Sequence, residues 1–200
     1  MAVLVGKAAP DFTATAVYGN NEIKELKLSE FAKGKYAVIF FYPLDFTFVC
    51  PSELIAFDHR LEEFRKRNVE VIGISIDSQF THLAWKNTPV DKGGIGQVGY
   101  PLVADIKHEI CRAYDVEFGA AGVAFRGSFL IDKAGNVRHQ VVNDLPLGRN
   151  VDEMIRMVDA LQFTEEHGEV CPAGWNKGKA GMKADPKGVA SYLAETASKL

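Results

Sequence analysis

The chain has 200 residues, 47% hydrophobic and 24% charged, and its 23 basic against 26 acidic side chains leave a formal net charge of −3. At about 150 residues per domain, this length supports one sizeable core with an optional extension and argues against two full domains. A slightly acidic chain with no Lys/Arg block excludes a nucleic-acid partner held by phosphate neutralisation, and no apolar run approaches the roughly 20 residues of a membrane span.

The N-terminal segment Met1-Ala2-Val3-Leu4-Val5-Gly6-Lys7 lacks a charged leader and a cleavage site, so a cytoplasmic location is expected. Three cysteines without close spacing make no disulfide scaffold, and in a reducing compartment a disulfide would be catalytic rather than structural.

Taken in chain order, Phe12 to Val17 reads as an N-terminal strand. Tyr36-Ala37-Val38-Ile39-Phe40-Phe41 is a continuous apolar run of the kind found in strands buried on both faces. From Pro51 to Arg67, Leu54, Phe57, Leu61 and Phe64 recur at helical steps while Glu62, Glu63, Arg65 and Lys66 point elsewhere, which predicts one amphipathic helix. Val69 to Ile76 reads as the next strand and completes a βαβ unit with parallel strands. Gln79 to Asn87 and Lys107 to Tyr114 look like shorter helices. Ser128 to Ile131 and Val137 to Val142 flank the turn Asp132-Lys133-Ala134-Gly135-Asn136, a hairpin signal, and Asn150 to Phe163 is a further amphipathic helix. This order predicts an α/β protein of thioredoxin-like fold, a mixed central sheet flanked by helices. Beyond Phe163 the periodicity dissolves into Gly, Lys and Pro through Pro186, and Val189 to Lys199 turns helical again. The expected division is therefore a domain over residues 1–163 and a C-terminal arm over 164–200.

Several apparent signals carry little. Gly94-Ile95-Gly96-Gln97-Val98-Gly99 matches Gly-x-Gly-x-x-Gly, but a dinucleotide site needs a strand before it and a helix start after it, and here Tyr100-Pro101 follows. His167 and Cys171 could share a metal, yet no second pair with zinc spacing exists among His59, His82, His108 and His139, so no metal is expected. Cys111 reads as a small semi-buried residue. No Gly-x-Ser-x-Gly nucleophile motif is present.

Chemistry concentrates in Pro43-Leu44-Asp45-Phe46-Thr47-Phe48-Val49-Cys50-Pro51. Pro51 suits a first helical position, which puts Cys50 at the helix start, where unpaired N–H groups and the positive dipole end stabilise a thiolate. Thr47, three residues upstream, offers a hydroxyl that both donates and accepts. The plain alternative is a buried Cys on a helix flank beside a Thr cap.

At these residues the chain resembles a known family. Pro43-x-x-x-Thr47-x-x-Cys50 is similar to the active-site motif of the peroxiredoxins. Val170-Cys171-Pro172-Ala173-Gly174-Trp175 resembles the resolving-cysteine segment of the typical two-cysteine group, which takes in the alkyl hydroperoxide reductases and thioredoxin peroxidases. Further likeness runs through Gly6-x-x-Ala9-Pro10-Asp11-Phe12, His82-Leu83-Ala84-Trp85, Phe125-Arg126-Gly127, Asn143 to Arg149 and Phe163 to Glu169.

The resemblance implies a thiol peroxidase acting on hydrogen peroxide and organic hydroperoxides, with no cofactor. Cys50 would be the nucleophile, Thr47 and Arg126 its activating neighbours, Pro43 a shield, and Glu53 with Arg149 an ion-pair network around Arg126. It further implies that the Cys50 sulfenic acid is resolved by Cys171 of the partner subunit in a homodimer, with five dimers forming a decamer. A thioredoxin-like or flavoprotein dithiol would then re-reduce the disulfide. Gly93-Gly94-Ile95-Gly96 and Tyr192-Leu193 depart from the Gly-Gly-Leu-Gly and Tyr-Phe elements of the oxidation-sensitive members. An oligomeric redox-regulated holdase is the alternative function. A general thiol–disulfide oxidoreductase would use Cys-x-x-Cys, which Pro51-Ser52-Glu53 excludes.

Overall fold

A computed structural model describes residues 2–199; Met1 and Leu200 lie outside it. The chain divides into two compact units, residues 1–151 and 152–200.

The first unit is built on a seven-stranded sheet. Its elements in chain order are β1 (Thr13–Val17), β2 (Ile23–Lys27), α1 (Leu28–Phe31), β3 (Tyr36–Phe41), α2 (Cys50–His59), α3 (Leu61–Lys66) and β4 (Val69–Ser75). There follow α4 (Gln79–Lys86), β5 (Leu102–Ala104), α5 (Glu109–Ala113), β6 (Glu117–Phe118), β7 (Val123–Ala124), β8 (Arg126–Ile131) and β9 (Val137–Asn143). The sheet order is β2-β1-β5-β4-β3-β8-β9, while β6 and β7 form a separate hairpin.

β3 and β4 pair in parallel, Val38 opposite Val71 and Ile39 opposite Ile72, and β4 pairs in parallel with β5. β8 runs antiparallel to both β3 and β9, so the sheet is mixed, as the thioredoxin-like fold requires. All six residues of β3 are buried, which accounts for its unbroken apolar run. The turn between β8 and β9 closes with the Gly135 N–H on the Asp132 carbonyl at 2.9 Å, and Gly135 takes φ 85°, a left-handed conformation natural to glycine.

Four features depart from the pattern read in the sequence. The amphipathic stretch 51–67 is two helices, because at Arg60 the backbone tightens: its N–H reaches the Phe57 carbonyl, and the N–H groups of both Glu63 and Phe64 turn back to the Arg60 carbonyl. β5, only three residues long, joins β4 to β1 in the middle of the sheet. β2 forms an edge whose residues other than Leu26 are exposed. The helix expected over Lys107 to Tyr114 shrinks to α5, preceded by His108 at φ 60°.

The second unit consists of α6 (Val151–His167, which begins at the last residue of the first unit), an extended segment, and α7 (Pro186–Thr196) followed by a 3₁₀ turn over Ala197–Lys199. Asp185 caps α7 by accepting the Gly188 N–H at 2.7 Å, and Pro186 occupies its first turn. In the extended segment Val170 bridges Met182, and Trp175 is buried with its ring 4.8 Å from that of Phe163. Among the described residues no helix is long and apolar enough to cross a membrane.

Candidate active site

Cys50 is the first residue of α2, fully buried, with Val49 at the cap position. The helix is fixed to the sheet by the ring of Phe57, stacked on Phe40 of β3 with centroids 4.0 Å apart. Pro51 has no N–H, and the N–H groups of Ser52 and Glu53 both turn back to the Val49 carbonyl.

Arg126, the first residue of β8, reaches the sulfur. Its Nη1 donates to Cys50 Sγ at 3.4 Å and to Glu53 Oε2 at 2.6 Å, and its Nε donates to the Leu145 carbonyl at 2.7 Å. Glu53 lies one turn beyond Cys50 on α2. It also accepts Arg149 Nε on Oε1 and Nη2 on Oε2, each at 2.9 Å, together with the Arg149 backbone N–H. Arg149 Nη1 donates in turn to the carbonyls of Phe41 and Gly127. The side chains of Arg126, Glu53 and Arg149 are at most 4% exposed. Burial lowers the Arg149 guanidinium from its ordinary value, and Glu53 acts in the opposite sense.

Charge counting then defines the pocket. Two guanidiniums and one carboxylate leave one positive charge uncompensated, and a thiolate at Cys50 makes the cluster neutral. A buried charge without a partner is costly, whereas charge-assisted hydrogen bonds between matched groups are strong, and the Cys50 sulfur is the group that Arg126 meets beyond Glu53.

The loop before α2 supplies the rest. Pro43 is buried, and Thr47, half-buried, donates its hydroxyl to the Leu44 carbonyl at 2.8 Å. That bond uses the only proton of the hydroxyl, so the oxygen facing any bound molecule acts as an acceptor. The structure thus narrows the two-way role expected for Thr47.

Between these residues Phe46 takes φ 52°, a left-handed conformation uncommon outside glycine. The loop is held by a buried network that sequence reading did not find. Tyr42 Oη donates to Asp45 Oδ1 at 2.8 Å, His82 Nδ1 lies 2.7 Å from Asp45 Oδ2, and the Asp45 N–H donates to Asp77 Oδ2 at 2.9 Å. Burial raises the Asp45 carboxyl above the usual range, and His82 opposes the shift. The signal available in sequence was a polar pair, Asp45 and His82, each embedded among apolar residues.

The other cysteines sit differently. Cys111, on α5, is 1% exposed, and burial followed by the charge of Asp105 pushes its thiol up to about 12. Cys171, in the second unit, is half-buried, with Sγ 3.5 Å from the Ala160 carbonyl and 4.0 Å from Thr164 Oγ1. His167 instead meets the Phe163 carbonyl and stacks on the Phe163 ring. The Gly94 to Gly99 stretch runs without a helix into β5.

Residues 5–140 match the AhpC/TSA family, and residues 160–195 match the C-terminal domain of 1-Cys peroxiredoxin. The chain is 62% identical over 199 residues to alkyl hydroperoxide reductase C of Helicobacter pylori strain 26695, covering 99% of this chain and all of that protein. It is 53% identical over 191 residues to peroxiredoxin-2 of Mus musculus, with 96% of each covered. The reduced 2-Cys peroxiredoxin of Plasmodium vivax superposes with a TM-score of 0.94 at 51% identity, covering 96% of this chain and all of that one.

Proposed function

The chain belongs to the AhpC/TSA family, and on that premise we propose how its Cys50 pocket carries out the reaction of a peroxiredoxin, the reduction of hydroperoxides. The Cys50 thiolate attacks one oxygen of a hydroperoxide in line with the O–O bond. An S–O bond forms, the O–O bond breaks, and its electron pair leaves on the second oxygen, which takes up a proton to become water or an alcohol. Cys50 becomes a sulfenic acid. Arg126, fixed at both Nε and Nη1, touches sulfur and can meet the oxygen on which charge develops. The Thr47 oxygen accepts the hydroxyl hydrogen of the peroxide. Glu53 and Arg149 act through Arg126 by holding its plane. Pro43 covers the pocket. The observation that carries this reading is the Arg126 Nη1 to Cys50 Sγ contact, made beside a buried cluster in which two guanidiniums share one carboxylate.

Cys171 of the partner subunit then attacks the sulfenic sulfur, forming a disulfide and releasing water. A dithiol, thioredoxin-like or belonging to a flavoprotein reductase, opens it by exchange. No metal or organic cofactor takes part in these steps. The working form is a homodimer, with five dimers forming a decamer.

Two experiments test this. Peroxide consumption coupled to a thioredoxin system should proceed with the intact protein, and its absence would overturn the dithiol step. On a non-reducing gel, peroxide should convert the protein to a disulfide-linked dimer and leave Cys171→Ser as a monomer that consumes one peroxide. Peptide mapping that joined Cys50 and Cys171 within one chain would overturn the intersubunit step.

A further inference from the structure

Three side chains of ligand type converge where α5 meets the β6–β7 hairpin, and the peroxidase reaction uses none of them. His108 stands at the N-cap of α5, Cys111 lies within the helix's first turn, and Glu117 opens β6. One ligand atom from each, His108 Nδ1, Cys111 Sγ and a Glu117 carboxylate oxygen, lies within 4.8 Å of the other two. Cys111 is buried, whereas the side chains of His108 and Glu117 are 21% and 19% exposed, so the cluster is anchored inside and open on one side.

We propose that His108, Cys111 and Glu117 form a binding site for a divalent metal ion of zinc type. Imidazole nitrogen, thiolate sulfur and carboxylate oxygen are donors that zinc accepts together, and three protein ligands leave the fourth tetrahedral position to water. His108 Nδ1 and Glu117 Oε1 now lie 2.8 Å apart, a distance spanned by one proton. Metal bonds of about 2.0–2.1 Å at a tetrahedral angle need the two atoms roughly 3.3 Å apart, a small movement for a partly exposed pair. Binding exchanges a proton for the ion. The Cys111 S–H proton passes to solvent as the metal–sulfur bond forms, and the imidazole proton of His108 shifts from Nδ1 to Nε2 as Nδ1 and the Glu117 carboxylate take the ion, with no change of oxidation state. Asp105 steadies the helix turn from behind, accepting the N–H groups of Ile110 at 3.0 Å and Cys111 at 2.8 Å.

Arg112 sets the sign of a decisive control. Its Nε and Nη2 hold Glu117 at 2.8 and 3.0 Å, and its side chain is 59% exposed, so it can swing into water, but its charge opposes a second cation beside the same carboxylate. The full chain carrying Cys50→Ser and Cys171→Ser keeps Cys111 as its sole thiol and is titrated with Co²⁺ as a spectroscopic probe. The expected result is a thiolate-to-cobalt charge-transfer band that saturates at one Co²⁺ per chain and is bleached by Zn²⁺. Cys111→Ser should remove the band. His108→Ala and Glu117→Gln, both at partly exposed positions that leave the core intact, should each weaken binding at least tenfold, and Arg112→Ala should tighten it several-fold. A cobalt spectrum matching that of the aquo ion, affinity unchanged in both His108→Ala and Glu117→Gln, or weaker binding in Arg112→Ala would overturn the site.

Discussion

Cys50 and Cys111 belong to the same compact unit, lie in the first turn of a helix and are buried to within 1% of each other, yet their surroundings are opposite in sign. Cys50 receives a hydrogen bond from Arg126, whereas Cys111 faces the carboxylate of Asp105 with Glu117 nearby, and its thiol is held near 12. Helix position and burial are shared by the two thiols, so neither distinguishes them. What differs is the cation beside Cys50, itself held by Glu53. Arg126 and Lys86 repeat the contrast among buried cations. Arg126 has a carboxylate partner, whereas among the described residues Lys86 donates only to the backbone carbonyls of Tyr18 at 2.7 Å and Gly19 at 3.4 Å.

The largest effect expected from this contrast is at the sulfur. Cys50→Ser should abolish peroxide turnover in a stopped-flow assay, a loss of at least about 10³-fold, since hydroxyl oxygen is a far poorer nucleophile than thiolate. Turnover near the intact rate would end the assignment. The comparison sharpens with a labelling experiment on Cys171→Ser protein. At pH 7, iodoacetamide should modify Cys50 and leave Cys111 at least about 100-fold slower, because attack needs the thiolate. Peptide mass spectrometry that found equal labelling would break the contrast.

The next effects test the matched cation. Arg126→Lys keeps the charge but loses the planar fork that reaches sulfur, carboxylate and the Leu145 carbonyl together, and should slow single-turnover oxidation of Cys50 by about 10²-fold. Glu53→Gln strands two guanidiniums in a pocket that is 2–4% exposed, and should cost about 3 kcal/mol of stability in urea unfolding. A shift below about 1 kcal/mol would mean that the pocket relaxes to admit water and that charge matching is not what holds Arg126.

Much of this was legible in the sequence for particular reasons. Tyr36–Phe41 announces a central strand because both of its faces are covered, and Pro51 marks the start of the α2 helix. β5 was not legible because three residues after Pro101 are too few for a periodicity, although they complete the middle of the sheet. The break at Arg60 carries neither Gly nor Pro, so nothing in the side chains marks it. In the pocket, Cys50, Thr47 and Arg126 stand out by residue type. The acceptors that orient Thr47 and Arg126 are the carbonyls of Leu44 and Leu145, and those that fix Arg149 behind them are the carbonyls of Phe41 and Gly127; every residue has a carbonyl, so no spacing betrays these four. Asp45 and His82, 37 positions apart, meet only through the chain path from β3 to α4.

The smallest expected effect concerns the unmatched cation and appears only at alkaline pH. Lys86 is 1% exposed, and burial depresses its amine from 10.5 to about 8, with Asp58 acting in the opposite sense. Below pH 8 the amine is charged in folded and unfolded chains alike, and the folded state bears the cost of a buried ammonium. Between pH 8 and 10.5 the folded amine is neutral while the unfolded one still holds its proton. The unfolded state then binds more protons, so the contribution of Lys86 to stability rises with pH and is complete above 10.5. The buried tyrosines Tyr42, Tyr100 and Tyr114 are shifted upward and work against stability at still higher pH, so the quantity to measure is a difference between two proteins. Urea midpoints of the intact protein and Lys86→Met, taken from pH 7 to 10, should converge in favour of the intact protein by about 1–2 kcal/mol. Parallel curves would show that water reaches the amine and that backbone carbonyls alone serve a buried lysine as well as a carboxylate serves Arg126.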